Sequence, residues 1–428
     1  MNRQNLNRVG AVVAAGVVLA GLLGGFMAQK IDALDSFRNS QKPKDTRVMA
    51  QLPNRPVDSK LVDANTKFGF KLFQEVLKQD SNKNIFISPT SIAIALSMTY
   101  NGASGKTQQA MANALEFQGM SLQDINQANG VLKSTLEKAD PDIQLSIANS
   151  LWARQGIPFK PEFMQKNQQF YGAKVTELDF AKPDAPNAIN NWVKENTRGK
   201  IDQIVNQVKP DDVLYLINAI YFKGKWTKPF DKGQTDERPF YLSNGSQKQH
   251  PMMSQSGRYR YYENESFQAV SLPYGKGNLS LYVFLPKKNT NLDSFQQQLS
   301  LQNWQQWMNQ FHMHQGSIQL PRFKFDYNIQ LNNALKALGM EEAFSDGANF
   351  SNMTSSSVAI DEVKHKTFVE VNEEGTEAAA VTSVGVTLTS APMPESPFQM
   401  VVDRPFFCAI RDNQTGTVLF MGSIREPQ

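Results

Sequence analysis

Residues 373–391 read EEGTEAAAVTSVGVTLTSA, a run with no proline and, after Glu377, no charge. Nearly every side chain in it is small or β-branched, and Pro392, Pro394 and Pro397 close it off. Left exposed, such a run is a template for edge pairing, because nothing in it resists another strand. This constrains the fold: the run reads as a loop built to become a strand at a later moment. An ordinary Ala/Val/Thr strand or a low-complexity loop would share the composition, since the strand signal is generic.

Alternation sharpens the reading. Successive side chains of a strand face opposite sides of the sheet. One register holds Thr376, Ala378, Ala380, Thr382, Val384 and Val386, all small or β-branched and uncharged. The other holds Glu377, Ala379, Val381, Ser383, Gly385 and Thr387, with its only charge at the start. The first set can pass beneath a helical layer without stranding a charge, and the second can face outward. Gly375 and Gly385 supply free dihedrals where a hinge needs them.

The chain has 428 residues, 40% hydrophobic and 20% charged, ample for a large core. Its formal charge of +4 is mild, and Lys and Arg form no stripe, which removes the footprint of a nucleic-acid binder. The single cysteine, Cys408, lies in the apolar run FFCAI, cannot form an internal disulfide and reads as a buried small hydrophobe. At the other end, Arg3 and Arg8 precede an apolar run over 9–28. Positive charge before such a run sends the following chain across a membrane, so an extracytoplasmic location is expected. Residues 1–35 are a signal peptide or an N-terminal membrane anchor: Phe26 disfavours cleavage after Ala28, and the run is long enough to span a bilayer. Residues 36–56, polar with Pro43, Pro53 and Pro56, read as a linker.

From residue 57 to 428 no break or repeat interrupts the pattern, which indicates one α+β domain. Helical spacing covers 66–77, 92–100, 108–115 and 126–136, with 92–100 apolar enough to be buried. Strand-like runs follow at 213–222, 268–273, 279–286, 318–325, 358–360, 367–371, 399–410 and 417–424.

Motifs of catalysis fail one by one. NGASGKT at 101–107 lacks the first glycine of a phosphate loop, and no G-x-S-x-G elbow occurs. His312 and His314 share a strand face, but no motif supplies a third metal ligand. Neither an enzyme nor a metal or cofactor protein is expected.

Several segments together resemble the serpin family, over roughly residue 57 to the end. They are NIFISPTS at 84–91, INNWV to TRGKI within 189–201, LINAIYFKGKW at 216–226, DRPF at 403–406 and LFMG at 419–422. EEGTEAAA at 373–380 is similar to the hinge of inhibitory members. The resemblance implies three β-sheets with eight or nine helices and an exposed reactive-centre loop. It implies a suicide-substrate inhibitor of serine proteases: a target protease cuts the loop, forms a covalent acyl-enzyme, and the cut loop inserts as a central strand. The alternative is a non-inhibitory member acting as a binding or chaperone module. Glu373, Gly375, Thr376, Glu377, Ala378, Ala379 and Ala380 match the hinge. Ser88, Ser91, Asn218 and His365 match the family's sheet-opening cluster, and Trp226, Arg322 and Glu373 the cluster where insertion begins.

The family spacing puts the reactive bond between Thr389 and Ser390, with Leu388 and Met393 as alternatives. No Lys or Arg lies between Gly375 and Asp403, which argues against trypsin-like targets, whose pocket wants a cation. An elastase-like or subtilisin-like enzyme suits Thr389. The segment 121–138, which resembles the helix of polysaccharide-activated members, has only Lys133 and Lys138 as basic residues, which argues against a heparin-like cofactor. The inhibitor is expected to be a monomer that engages its protease.

Overall fold

Ser88 and Pro89 set where the central helix begins. The Ser88 hydroxyl accepts from the Ser91 N–H, and Pro89 takes the first turn, where no amide partner is needed. Every residue of Pro89–Tyr100 is buried, so this helix runs through the interior, as its unbroken apolar sequence requires. The computed structural model describes residues 55–376 and 396–428, which lie in one compact unit.

Among the described residues there are nine α-helices: Ser59–Gln79, Pro89–Tyr100, Gly105–Ala114, Leu122–Glu137, Pro161–Lys166, Ala185–Asn196, Leu292–Gln296, Leu301–Gln310 and Asn332–Leu335. The strands are β1 (Ile85–Ile87), β2 (Ile143–Arg154), β3 (Lys174–Leu178), β4 (Leu214–Lys225), β5 (Thr235–Tyr241), β6 (Gln247–Glu263), β7 (Phe267–Tyr274), β8 (Leu279–Pro286), β9 (His312–Pro321), β10 (Phe323–Gln330), β11 (Glu362–Asn372), β12 (Gly375–Thr376), β13 (Phe398–Val401), β14 (Phe406–Asp412) and β15 (Val418–Ile424). The architecture is of the expected α+β class.

Hydrogen bonding joins the strands into two sheets. The smaller runs β10-β11-β12-β4-β2-β3, and the larger runs β1-β15-β14-β8-β7-β6-β9-β13 with β5 on β6. The larger has two limbs that share the 17-residue β6. Its end, Arg260–Glu263, pairs with β7, while its beginning pairs with β5 and β9. Counting the limbs separately gives the three sheets expected.

The smaller sheet is covered on both sides. Its inner face packs on Pro89–Tyr100 in the main core. On its outer face Ala148, Trp152, Ile217 and Ala219 meet Ile189 and Val193 of Ala185–Asn196. Two-sided burial explains why β4 is apolar almost throughout.

Some segments depart from the sequence reading. Residues 358–360 form no strand: Val358 and Ile360 are apolar because they pack in the core, with the Ile360 N–H bonded to the Ala343 carbonyl. The run 399–410 breaks between β13 and β14 at 402–405. The run 318–325 breaks at Arg322, the one-residue link by which the chain leaves the larger sheet at β9 and joins the smaller at β10. Strands β2, β3, β5 and β6 have no counterpart in that reading; β6 carries few aliphatics, and Pro251 sits inside it. Within Leu122–Glu137, Lys133 is buried and paired with Glu137 at 2.8 Å. Cys408 is buried, and burial pushes its thiol pKa up.

Candidate functional site

The chain reverses after β11 through Glu373 and Glu374 and starts back as β12. Gly375 makes this possible. Its φ of 151° is open to glycine, and a Cβ there would run into the Gly224 carbonyl and lie 2.7 Å from Lys225 Cα. Thr376 pairs with Val371 of β11 on one side and with Gly224 of β4 on the other, antiparallel to both. Farther along, β11 and β4 close on each other directly as a parallel pair, from Phe368 opposite Tyr221 to Glu362 opposite Tyr215. The result is a sheet split at one end and zipped at the other, with the loop's first two residues already seated in the split.

A set of stacked, hydrogen-bonded and ion-paired side chains fastens the split end. Trp226 donates its indole N–H to the Asn372 carbonyl at 2.8 Å, and its ring stacks on Tyr274 at 4.5 Å. Tyr274 in turn shares a 2.6 Å hydrogen bond with the Thr376 hydroxyl, so Thr376 faces the core. The Glu373 carboxylate is buried at 2% exposure and accepts from Arg322 Nε at 2.7 Å and Thr235 Oγ1 at 2.6 Å. Burial works to raise the Glu373 pKa, but these hydrogen bonds and the Arg322 charge hold it below its ordinary value. Arg322 reaches this carboxylate because it is the link between sheets. Lys232 adds a 2.7 Å ion pair to Glu374.

Within the zipped part, Asn149, Asn218 and His365 lie side by side on β2, β4 and β11. The Ser88 N–H donates to His365 Nε2 at 3.1 Å, so the ring proton sits on Nδ1, which donates to Asn218 Oδ1 at 2.5 Å. The Asn218 amide donates to Ser91 Oγ at 2.5 Å and also to Asn149 Oδ1. The residues named from sequence, Ser88, Ser91, Asn218 and His365, therefore form one hydrogen-bonded chain from the central helix across the two strands that close the sheet. Asn149, Thr235, Lys232 and Tyr274 belong to these clusters and were not singled out by the sequence. Asn149 had one available signal, a polar residue amid the apolar IANSLWA. Glu377, Ala378, Ala379, Ala380, Leu388, Thr389, Ser390 and Met393 lie outside the described residues.

His365 is fully buried, and desolvation pushes its pKa down from 6.5 to about 3. The unfolded chain binds a proton there that the fold excludes. Stability from this group is thus present above pH 6.5 and falls as the pH drops from 6.5 towards 3. Glu373, with its depressed pKa, adds a loss of the same sign below its ordinary 4.5. Urea midpoints measured against pH should decline through the upper window in the wild type and decline less in His365→Gln. An equal decline in both would mean that His365 does not carry the effect.

A family profile described as Serpin (serine protease inhibitor) matches residues 63–427. The leukocyte elastase inhibitor of Sus scrofa is 36% identical over 377 residues, covering 85% of this chain and 98% of that protein. The crystal structure of a thermophilic serpin, tengpin, in the native state superposes with a TM-score of 0.80 at 32% identity, covering 87% of this chain and 95% of tengpin. Human thyroxine-binding globulin complexed with thyroxine gives a TM-score of 0.80 at 27% identity, over 86% of this chain and 99% of that one.

Proposed function

The chain belongs to the serpin family, and from that premise we propose that it inhibits serine proteases as a pseudo-substrate, by cleavage and insertion of its own loop. The observation that supports this most is the placement of Gly375 and Thr376 between β11 and β4. Extending their two registers one residue at a time sets Ala378 against Val369 and Phe222, and Ala380 against Thr367 and Ile220. Thr382 then arrives between His365 and Asn218. Insertion must therefore break the 2.5 Å bond between those two side chains, and the Thr382 hydroxyl is the polar group that arrives to meet them. The inward set ahead of it is alanine, which fits beneath the strands with neither bulk nor charge.

In this reading the protease's serine attacks the Thr389 carbonyl, the Thr389–Ser390 bond breaks, and an ester joins protease to loop. Insertion of residues 377 onward then outruns hydrolysis of that ester. The absence of Lys and Arg from 376–402 points to an elastase-like or subtilisin-like target, and the similar porcine protein is by name an elastase inhibitor. The inhibitor works as a monomer outside the cytoplasm, delivered by residues 1–35 and spaced by 36–56. No helix among the described residues is long and apolar enough to cross a membrane.

The test is direct. Mixing the protein with an elastase-type protease should give a band on a denaturing gel at the summed mass less that of the released C-terminal peptide. The mass of the released peptide should place the cut after Thr389. Cleavage with no complex would defeat the proposal and support a second reading, a small-molecule carrier. A cleft of about 300 Å³ between Ser59–Gln79 and Leu301–Gln310 favours that reading. It is lined by Trp304 and Arg411, whose Nε1 and Nε donors have no protein partner.

A further inference from the structure

Three Asn-Gly pairs occur in the chain, at 101–102, 129–130 and 244–245. An asparagine amide followed by glycine is open to attack by the glycine nitrogen, because no Cβ shields that nitrogen. The fold protects two of the pairs. Asn101 and Asn129 are buried at 2% and 0% exposure, and each anchors its amide nitrogen twice. Asn101 Nδ2 donates to the Ser97 carbonyl and to Asn126 Oδ1, and Asn129 Nδ2 to the Ile125 carbonyl and to Ser97 Oγ. The third pair is laid open. Asn244, Gly245 and Ser246 are all exposed in the turn between β5 and β6. Gly245 has a φ of 84°, and a Cβ built on it would have no atom within 4 Å. Asn244 Oδ1 accepts from the Ser246 N–H at 2.9 Å and from the Ser246 hydroxyl at 2.7 Å, while its Nδ2 has no protein partner among the described residues.

We propose that Asn244 is a site of spontaneous modification, losing its amide to become aspartate or isoaspartate with water as the co-reactant. The N–H of Gly245 donates to the Leu242 carbonyl at 3.0 Å, and opening of this exposed turn releases it. Hydroxide then takes the amide proton. The Gly245 nitrogen bonds to Asn244 Cγ, the Cγ–Nδ2 bond breaks, and ammonia leaves with a proton from water, which regenerates the hydroxide. A cyclic imide remains. Water opens it at either carbonyl, giving aspartate at one and, at the other, isoaspartate with an extra carbon in the backbone. The two Ser246 donors sit on the oxygen that gains negative charge as the nitrogen attacks, and so favour the step. Tyr241, at the foot of the turn, donates its N–H to the Asp403 carbonyl at 2.7 Å. The product therefore sets a carboxylate, and in its isoaspartate form a lengthened backbone, close to the link between β13 and β14.

Folded full-length protein held at mildly alkaline pH, then digested and weighed peptide by peptide, should show the amide-to-acid mass gain at Asn244. The peptides carrying Asn101 and Asn129 should show none. Part of the Asn244 product should accept a labelled methyl group from S-adenosylmethionine in the presence of an isoaspartate methyltransferase. Protein unfolded in urea should gain the mass at all three asparagines, since the fold alone distinguishes them. Asn244→Gln should keep the thermal midpoint and lose the label from this peptide. Ser246→Ala should slow the conversion by about two- to tenfold, the worth of one neutral hydrogen bond. An Asn244 that stays an amide in the folded protein while the unfolded chain converts would overturn the proposal. So would conversion of Asn101 or Asn129 in the folded protein as fast as that of Asn244.

Discussion

Ala380→Arg is expected to be cut at the same bond as the wild type and to leave almost no covalent complex. In the extended register Ala380 meets Thr367 and Ile220, both fully buried. A guanidinium arriving there loses its water and finds no carboxylate. Burying an unpaired charge costs several kcal/mol. If only ~3 kcal/mol of that reaches the insertion barrier, insertion slows roughly a hundredfold, because each 1.36 kcal/mol is a factor of ten. Ester hydrolysis then wins and the protease is released. Glu377→Arg is the matched control, since Glu377 falls in the outward register opposite Glu370 and Lys223, both partly exposed. The numbers of inhibitor molecules consumed per protease should diverge sharply between the two variants. Similar values would contradict the register.

His365→Ala carries the other large effect. Removing the ring leaves the Ser88 N–H and Asn218 Oδ1 buried without partners and opens a cavity behind them. Each orphaned group costs about 1–3 kcal/mol and the lost volume adds to it, so a loss of roughly 3–5 kcal/mol is expected. The loss falls on the closed sheet, because the Asn218–His365 bond exists only while β11 and β4 pair. The variant should therefore convert on warming to a form with its uncleaved loop inserted, which resists further heating and no longer inhibits. Thr382→Val should do the reverse: keep the native midpoint and raise the amount of inhibitor consumed. Sequential heating scans with an activity assay separate the two.

Much of the fold could be read from the sequence wherever burial was one-sided or complete. The helix Pro89–Tyr100 and strands β4, β8 and β14 are apolar enough to announce themselves. The failures share a cause. Strands β5 and β6 carry polar and proline residues because much of their surface faces water, so hydrophobic periodicity has nothing to register there. Residues 358–360 are apolar for packing rather than pairing. The residues of the two clusters were named through resemblance to a family, not through pattern: a lone His365 or Asn218 in an apolar strand reads equally well as a satisfied core residue. Asn149 escaped because β2 itself was not recognised. Arg322 did leave a local signal that the reading passed over: the apolar alternation of Ile318 and Leu320 slips phase at Pro321–Arg322 before it resumes at Phe323 and Phe325.

The order of strands in the larger sheet sets a schedule for biosynthesis. β14 and β15, the strands latest in sequence, are wedged between β1 and β8, which come much earlier. A nascent chain that has not yet released them holds an open gap where β1 and β8 should be bridged. Its central helix lacks the Val418 carbonyl that receives the Thr90 hydroxyl. Strands β2, β4, β10 and β11 of the smaller sheet are all available before this gap can close. Besides the Asn218–His365 bond, it is the slow long-range docking of the final hairpin that separates a chain that pairs its own 377–391 run too early from one that does not. A helper that shields this run until the hairpin docks would raise the yield of active inhibitor without touching the finished molecule.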